Sequence, residues 1–460
     1  MSKNREIYIK SPYFNLYLFF VKPFIMIEKA PDVHFSTKLF AIVNRPEIVL
    51  KIAAINNEYL YWDKLKYKKI SDLAPEQLWS AVKMARAVNY KNITFGKYKF
   101  NYVTTDYIQK IIHYFDMHIG GYMGANNVVP DVDKTRYLVS AIMEEAISSS
   151  QIEGANTTRK KAKEMLRKEV KPKTKSEQMI VNNYVTIKHI TQNRNDDLTP
   201  EKLLYVHGLI SCDTLDDKKE EGAFRISDDV QVVNHIDGEV VHTPPSHKEL
   251  EVLIKDLCDF FNTDSKETFI HPILKATIIH FMIGYIHPFT DGNGRTARAL
   301  FYWYLLKKGY WLTEYLSISK IIQDSKNQYE KAYLYTEADA NDLTYFMTYH
   351  LKVMDKAFEA LKEYIQLKQK ENLQIASFVR IPNVNERQAQ LLKILYDEQE
   401  SIFTVKEVEN RFQVSKYTAR TDLNALVEMN FLEVIQVNKI KQNFVRSENF
   451  LDLLAKYKIK

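Results

Sequence analysis

The amino-acid sequence predicts a mainly α-helical protein, on three observations. Glycine is scarce, at 12 of 460 residues. Long stretches space their apolar residues three and four apart, the helical period. Strand-like alternation is confined to Val230–His242 and to a stretch near the C-terminal end.

The helices can be placed from their punctuation. Leu138, Val139, Ile142, Ala146 and Ile147 recur at helical spacing between Thr135 and Ser150, and Gly154 supplies a stop. Helical pattern resumes over Ser176–Gln192, and Thr199 followed by Pro200 caps a further helix over Glu201–Ile210. In Val230–His242 two β-branched stretches flank Asp237-Gly238, a hairpin signal, closed by Pro244 and Pro245. A helix over Lys248–Phe261 follows. The next starts near His271 and Pro272 and must end at Ile286, one residue before the His287-Pro288 pair. Arg295–Lys308 is helical and closed by Gly309, and helical pattern continues to about residue 370. Residues 26–125 mix helical patches with aromatic segments such as Tyr59–Trp62 and read as a scaffold. The lysine-rich run from Lys160 to Lys175 reads as a solvated face.

Composition narrows the function classes. The chain is 45% hydrophobic and 27% charged, typical of a globular protein. A net charge of +6, from 64 basic and 58 acidic residues, argues against a chain wrapped in nucleic acid. Cys212 and Cys258 form no C-x-x-C or Cys/His cluster, so neither a disulfide framework nor a zinc site is expected, and a reducing cytoplasm fits. Tyr13–Met26 is apolar but broken by Asn15, Lys22 and Pro23, and is shorter than the roughly 20 residues a spanning helix needs. We expect no membrane partner and read the segment as a buried or poorly ordered leader.

The residues that carry chemistry lie between two helices: His287, Pro288, Phe289, Thr290, Asp291, Gly292, Asn293, Gly294 and Arg295, with Arg298 one turn on. Glycines flanking Asn293 let backbone N–H groups turn inward as an anion nest. The nest opens onto a helix N-terminus, whose partial positive charge favours phosphate. Arg295 and Arg298 can lean over that same helix end, Asp291 is a hard oxygen ligand suited to Mg2+, and His287 is a candidate base. The set reads as phosphoryl or nucleotidyl transfer. A plain Asp-Gly-Asn-Gly turn would need strands on both sides, where the flanks are helical. No Walker or kinase glycine loop occurs.

This segment resembles the Fic family pattern HxFx(D/E)GNGRxxR at every specified position, and the likeness extends over about residues 40–370. The resemblance implies a protein adenylyltransferase that moves AMP from ATP to a Tyr, Thr or Ser hydroxyl of a target protein and of itself. His287 would be the catalytic base, Phe289 a loop anchor and Asp291 the Mg2+ ligand. Gly292, Asn293 and Gly294 would cradle phosphates, and Arg295 and Arg298 would compensate their charge. Gly222-Ala223-Phe224-Arg225 resembles the family's lead-in to a target-docking flap, here Val230, Gln231, Val232, Val233, Asn234 and His235. An exposed hairpin edge can take up a substrate segment as an added strand. Tyr329 and Tyr333 lie where the family places part of an adenine pocket, although aromatic stripes are more often core.

Ser149-Ser150-Gln151-Ile152-Glu153-Gly154 fits the family's inhibitory pattern (S/T)xxxE(G/N). Ser149 and Glu153 share a helix face. Glu153 stands at the helix's negative end, which a partner cation would offset, and the resemblance names Arg298.

Residues 386–460 resemble a winged helix-turn-helix, with helices over Glu386–Tyr396 and Val405–Phe412 and a third opening at Ser415. Lys416, Tyr417 and Arg420 stand at its exposed start, and Phe431–Val445 forms a two-stranded wing. The unit holds 12 basic and 11 acidic residues, a weak footprint for DNA. Protein interaction or a homodimer is therefore weighed beside DNA. The expected organisation is an N-terminal extension at 1–125, an inhibitory helix region at 126–175, a Fic core at 176–370, a linker at 371–385 and the winged helix at 386–460. The alternatives are a DNA-binding regulator whose core senses nucleotide, and a Fic enzyme that transfers another phosphate-containing group or removes AMP.

Overall fold

Proline, glycine and short polar caps set most element boundaries where the sequence predicts them. The structure, a computed structural model, describes residues 27–34, 36–70, 73–120, 134–167, 170–233, 240–264, 268–412, 414–437 and 442–457. The expected leader and the Asp237-Gly238 turn lie outside these. The chain divides into two units between Ala357 and Phe358, and among the described residues no helix is long and apolar enough to cross a membrane.

The first unit opens with α1 (Thr37–Val43), α2 (Pro46–Glu58), α3 (Trp62–Leu65) and α4 (Pro75–Ala87), then the hairpin β1 (Lys91–Phe95) and β2 (Tyr98–Tyr102), then α5 (Asp106–His118). The hairpin is an addition to the expected elements. Its signal, alternation around Gly96 at φ +54°, is short and sits between helical patches. This scaffold has its own apolar core, which reaches Tyr335 and Tyr345 further along the chain. Tyr61 stacks on Tyr335 at 4.5 Å, and the buried Arg86 donates to the Tyr345 hydroxyl at 2.6 Å and to Asn56 Oδ1 at 2.8 Å.

Next come α6 (Lys134–Ile152), α7 (Arg159–Arg167), α8 (Lys175–Gln192) and α9 (Pro200–Ser211). Gly154, at φ +93°, ends the path of α6, and Thr199 Oγ1 accepts from the Lys202 amide at 3.2 Å to cap α9. The short strands β3 (Val232–Val233) and β4 (Val240–His242) pair antiparallel with a bulge. After α10 (Leu250–Asn262), α11 (Pro272–Ile286) and α12 (Asn293–Lys307) form the centre, apolar on nearly every face and therefore buried on nearly every face. His287 leaves α11 in the left-handed region (φ 49°, ψ 58°). Pro288 forbids a further helical turn, so the chain breaks where the sequence says it must. α13 (Ile318–Asp324) and α14 (Lys326–Ala338) complete the surroundings of the site.

Helix α15 runs without interruption from Thr344 to Val379, across the unit boundary. The stretch expected as a linker at 371–385 is thus helical through Val379, and Phe378, Ile381 and Val384 belong to the apolar core of the second unit. Apolar burial extends the helix where composition alone suggests a spacer. The second unit continues with α16 (Glu386–Asp397), β5 (Ile402–Phe403), α17 (Val405–Phe412), α18 (Lys416–Glu428), β6 (Leu432–Gln436), β7 (Gln442–Arg446) and α19 (Phe450–Lys456), with strand order β5-β7-β6. Three helices and a small antiparallel sheet make the expected winged helix.

Candidate active site

The loop 287–292 is held from inside by its own side chains. The Phe289 amide donates to Asn293 Oδ1 at 3.0 Å and Asn293 Nδ2 returns a bond to the Phe289 carbonyl at 2.8 Å. Phe289 is wholly buried. Its ring stacks on His207 at 3.7 Å with planes 2° apart, and on Phe224 at 5.5 Å. Phe289, expected as the loop's anchor, is thus packed inside it, and the Asn293 side chain serves the loop itself.

Two residues that the sequence did not single out as site residues fasten the loop from outside. His207 Nδ1 accepts from the Gly222 amide at 3.1 Å, so its Nε2–H donates to the Asp291 carbonyl at 2.9 Å. Arg225, 4% exposed, donates from Nε to the His287 carbonyl at 2.9 Å and from its amide to the Pro288 carbonyl at 2.9 Å. The only advance signal was the position of Arg225 in the lead-in. Nothing local marks His207.

Helix α12 begins at this loop, with Gly292 at φ +84° as its cap. The Gly292 amide donates to Asp291 Oδ1 at 2.5 Å, while the amides of Asn293, Gly294 and Arg295 open the helix without intrahelical acceptors. Two guanidiniums lie behind them. Arg295 donates from Nη1 to the Ile210 carbonyl at 3.1 Å and approaches Asp291 Oδ2 at 3.4 Å. Arg298 donates from Nε to Ser149 Oγ at 2.8 Å, and from Nη2 to the Ser149 carbonyl at 3.0 Å and to Glu153 Oε1 at 2.9 Å. Both arginines are 1% exposed, yet Arg295 Nε and Arg298 Nη1 have no acceptor among the described residues. Buried donors left open are uncommon and cost about 1–3 kcal/mol each, so their presence points to an anion that completes them.

Glu153 occupies the mouth of the nest. A Cβ placed on Gly294 would fall 2.2 Å from Glu153 Oε1, so the carboxylate leans directly on the helix start. Burial pushes the Glu153 carboxyl up, but the Arg298 guanidinium outweighs it and holds the group below the usual carboxylate range. The ion pair is therefore present above ordinary carboxylate pKa values and is lost only as pH falls through the lowered one. Gly294→Ala should remove the Glu153–Arg298 bond and still leave the nest unable to take an anion, because the new methyl fills it. Titration with nucleotide in a calorimeter checks this, with no binding heat expected.

Helix α6, which carries Ser149, is rooted in the core. The buried Glu145 accepts from the Ser319 amide and from Ser317 Oγ, each at 3.0 Å, at the start of α13. Ser150 Oγ donates to the Ala146 and Met179 carbonyls at 2.8 and 3.1 Å.

His287 faces this nest from the end of α11. Its Nδ1–H donates to the Gly284 carbonyl at 3.2 Å, which leaves Nε2 as the ring's lone-pair nitrogen. Burial, assisted by the charges of His242 and Arg225, pushes the imidazole down to about 4 against the bond to Gly284, so it is neutral at physiological pH.

Tyr329 and Tyr333 lie one turn apart on α14 and meet edge to face at 5.3 Å. The Tyr329 hydroxyl pairs with His280 Nε2 at 3.0 Å, and Tyr333 stacks on Phe281 at 5.0 Å. Of the docking residues, Val230 to Val233 are described and Asn234 and His235 lie outside the described residues. Among the described residues no group of three or more metal-ligating side chains gathers, and Asp291, with its side chain 50% exposed, is the hard ligand that the loop itself places at the nest.

The chain is similar to known proteins over parts of its length. The Fic/DOC family description matches residues 197–305, and the DeoR-like helix-turn-helix domain matches 387–435. Protein adenylyltransferase Fic of Aedes aegypti is 36% identical over 119 residues, 26% of this chain and 21% of that protein. Protein adenylyltransferase fic-1 of Caenorhabditis elegans is 43% identical over 68 residues, 15% of this chain and 13% of that protein. The chain thus spans about a fifth or less of the length of these two curated relatives. A crystal structure of a Fic family protein from Desulfovibrio desulfuricans G20 shares 21% identity with a TM-score of 0.45, covering 74% of this chain and 94% of that one. The HxFxDGNGRxxR loop and the helices that frame it fall within the matched residues, so the chain carries a Fic/DOC domain over residues 197–305 and a DeoR-like helix-turn-helix over 387–435.

Proposed function

We propose that the chain transfers the AMP moiety of ATP to a Tyr, Thr or Ser hydroxyl of a protein, itself included, and that Glu153 keeps it silent by pairing with Arg298. The observation that carries this reading is the Glu153 carboxylate seated against Gly294 and bonded to Arg298: a negative group of the chain itself stands where the open donors call for an anion.

The residues fit a nucleoside triphosphate. Free amides at the start of α12 and the spare N–H groups of Arg295 and Arg298 can take phosphate oxygens. Asp291 would hold Mg2+, which favours one or two carboxylates together with substrate phosphates and, when bound, neutralises phosphate charge. His287 Nε2 removes the proton from the target hydroxyl, whose oxygen then attacks the α-phosphorus. The bond to the β-phosphate oxygen breaks and pyrophosphate leaves. Arg298 serves this step only when Glu153 has given it up.

Intact-mass measurement of the Glu153→Gly protein incubated with Mg-ATP tests the reading. Addition of one adenylyl mass supports it, while a different added mass or none replaces it with another transferred group or with no transfer. The same change strips a buried arginine of its counter-ion, so we expect it to lower unfolding stability by about 1–3 kcal/mol in the absence of nucleotide. ATP should restore most of that loss, as urea denaturation with and without ATP would show.

A second reading concerns the C-terminal unit. At the start of α18, Lys416, Tyr417 and Arg420 are all exposed, Tyr417 at 81%, the arrangement that lets a recognition helix meet DNA. Fluorescence anisotropy with a labelled duplex should show binding that weakens steeply between 50 and 200 mM salt. Binding unaffected by Lys416→Ala and Arg420→Ala together would move this surface to a protein partner.

A further inference from the structure

Two imidazoles meet the C-terminal end of α11, and the structure treats them in opposite ways. His287 closes the Gly284 carbonyl with Nδ1–H and keeps a free lone pair. His242, on the returning strand β4, closes the next carbonyl: its Nε2 lies 2.8 Å from the Tyr285 oxygen, and its Nδ1 lies 2.7 Å from Glu337 Oε2 on α14. A carbonyl and a carboxylate can only accept, so both ring nitrogens of His242 must donate, which makes it an imidazolium. The negative end of α11 favours the same charge. The ring also lies against Tyr285 at 5.2 Å.

The hairpin is thereby attached to the core at two places of different kind. Its stem is clipped without an imidazole bridging strand and core: Arg225 donates to Asp228 Oδ1 at 3.0 Å and to the Pro245 carbonyl, while Asp228 accepts from Ser246 Oγ at 2.8 Å and from the His247 amide at 2.6 Å. The attachment at β4 depends on one proton. We propose that His242 is a positioning residue whose imidazolium, clamped between Glu337 and the end of α11, latches the returning strand of the hairpin beside His287 and frees it when the proton leaves.

The groups that act on this ring set the direction of its response: Glu337 from α14 and the Tyr285 carbonyl from the end of α11 bond to it, and His287 feels its charge. One layer further out stand Tyr333 beside Glu337, Tyr98 and Glu249 beside Tyr285, and Arg225 beside His287. Burial lowers the His242 pKa, but the bond and charge of Glu337 and the Tyr285 carbonyl outweigh it, and the net direction is upward. A raised imidazole pKa means a latch fully present below about 6.5, the ordinary value, and lost as pH climbs through the raised one. The neighbouring cation in turn disfavours protonation of His287. Opposite shifts in two adjacent titratable groups are the arrangement expected where one must stay a base and the other a charge.

The inference rests on reading His287 as the base of the transfer, so its test begins with measurements that need no activity. Carbon-13 NMR titration of histidine-labelled full-length protein, assigned with His242→Gln and His287→Asn, should show His242 titrating above about 6.5. Glu337→Gln should lower that midpoint by about 1–3 pH units, and His242→Gln should raise the His287 midpoint. Hydrogen exchange at one fixed pH should be faster at Val232, Val233, Val240 and Val241 in Glu337→Gln than in wild type. A wild-type His242 midpoint at or below 6.5, or equal exchange in the two proteins, overturns the latch whether or not the chain transfers AMP. In the Glu153→Gly background, alkaline pH should then raise KM for the protein acceptor and leave KM for ATP unchanged, with Glu337→Gln moving that rise to lower pH. An equal rise in both constants would mean general loosening and would also overturn it.

Discussion

Glu153→Gly is expected to raise AMP incorporation by about 10²-fold or more, because the change removes the one group that competes with substrate for Arg298. In the resting protein Arg298 Nε and Nη2 are both engaged by Ser149 and Glu153, and Glu153 Oε1 crowds Gly294. A productive triphosphate must displace a carboxylate from a buried arginine, and an equilibrium held near 1:99 lowers apparent affinity and turnover by about that factor. Glycine leaves the Ser149 bonds in place, returns one guanidinium edge to the nest and clears the space over Gly294. Labelled ATP should then report transfer in the variant and near silence in the wild type at neutral pH. Equal labelling would show that the ion pair regulates nothing. Acid is not expected to substitute for the mutation: protons that neutralise Glu153, whose pKa is lowered, arrive in the range where His287, at about 4, also becomes charged.

His287→Ala in the Glu153→Gly background should abolish that gain, with a loss of about 10²–10⁴-fold from removal of the base alone. Binding and chemistry separate cleanly here. The nest is built by α12, Arg295 and Arg298, so ATP should bind the double variant as it binds Glu153→Gly, by calorimetry, while transfer disappears. The pH profile gives the same assignment independently. His287 must be neutral to accept a proton, so activity of Glu153→Gly should rise through about pH 4 and be insensitive to this group above it. A double variant that still labels its target would assign the base elsewhere.

The parts of the site that were legible before any coordinates are those whose chemistry is contiguous. Gly292 and Gly294 around Asn293, ahead of Arg295 and Arg298, describe a helix start shaped for phosphate, and Pro288 forces the break that ends α11 at His287. Ser149 and Glu153 were legible as a pair because one helical turn separates them, and the structure brings them to Arg298. The short hairpin at 91–102 was hidden because two five-residue strands leave little periodicity between helical patches. The expected spacer at 371–385 proved part of a helix and of an apolar core, since Phe378, Ile381 and Val384 find partners that lie later in the chain.

Residue order was sufficient for the helical class and for the helix start at Gly292–Arg298 with His287 as its candidate base, which follow from local spacing and backbone preference, while Glu153 as candidate inhibitor came from the family resemblance. Only the folded chain assigned His207 to the loop, Arg225 to the His287 carbonyl and His242 to the end of α11, contacts made across 84, 62 and 43 positions. The reason is physical: an imidazole's tautomer and charge are set by which donors and acceptors surround it, and those neighbours are gathered by packing, to which distance along the chain is no guide.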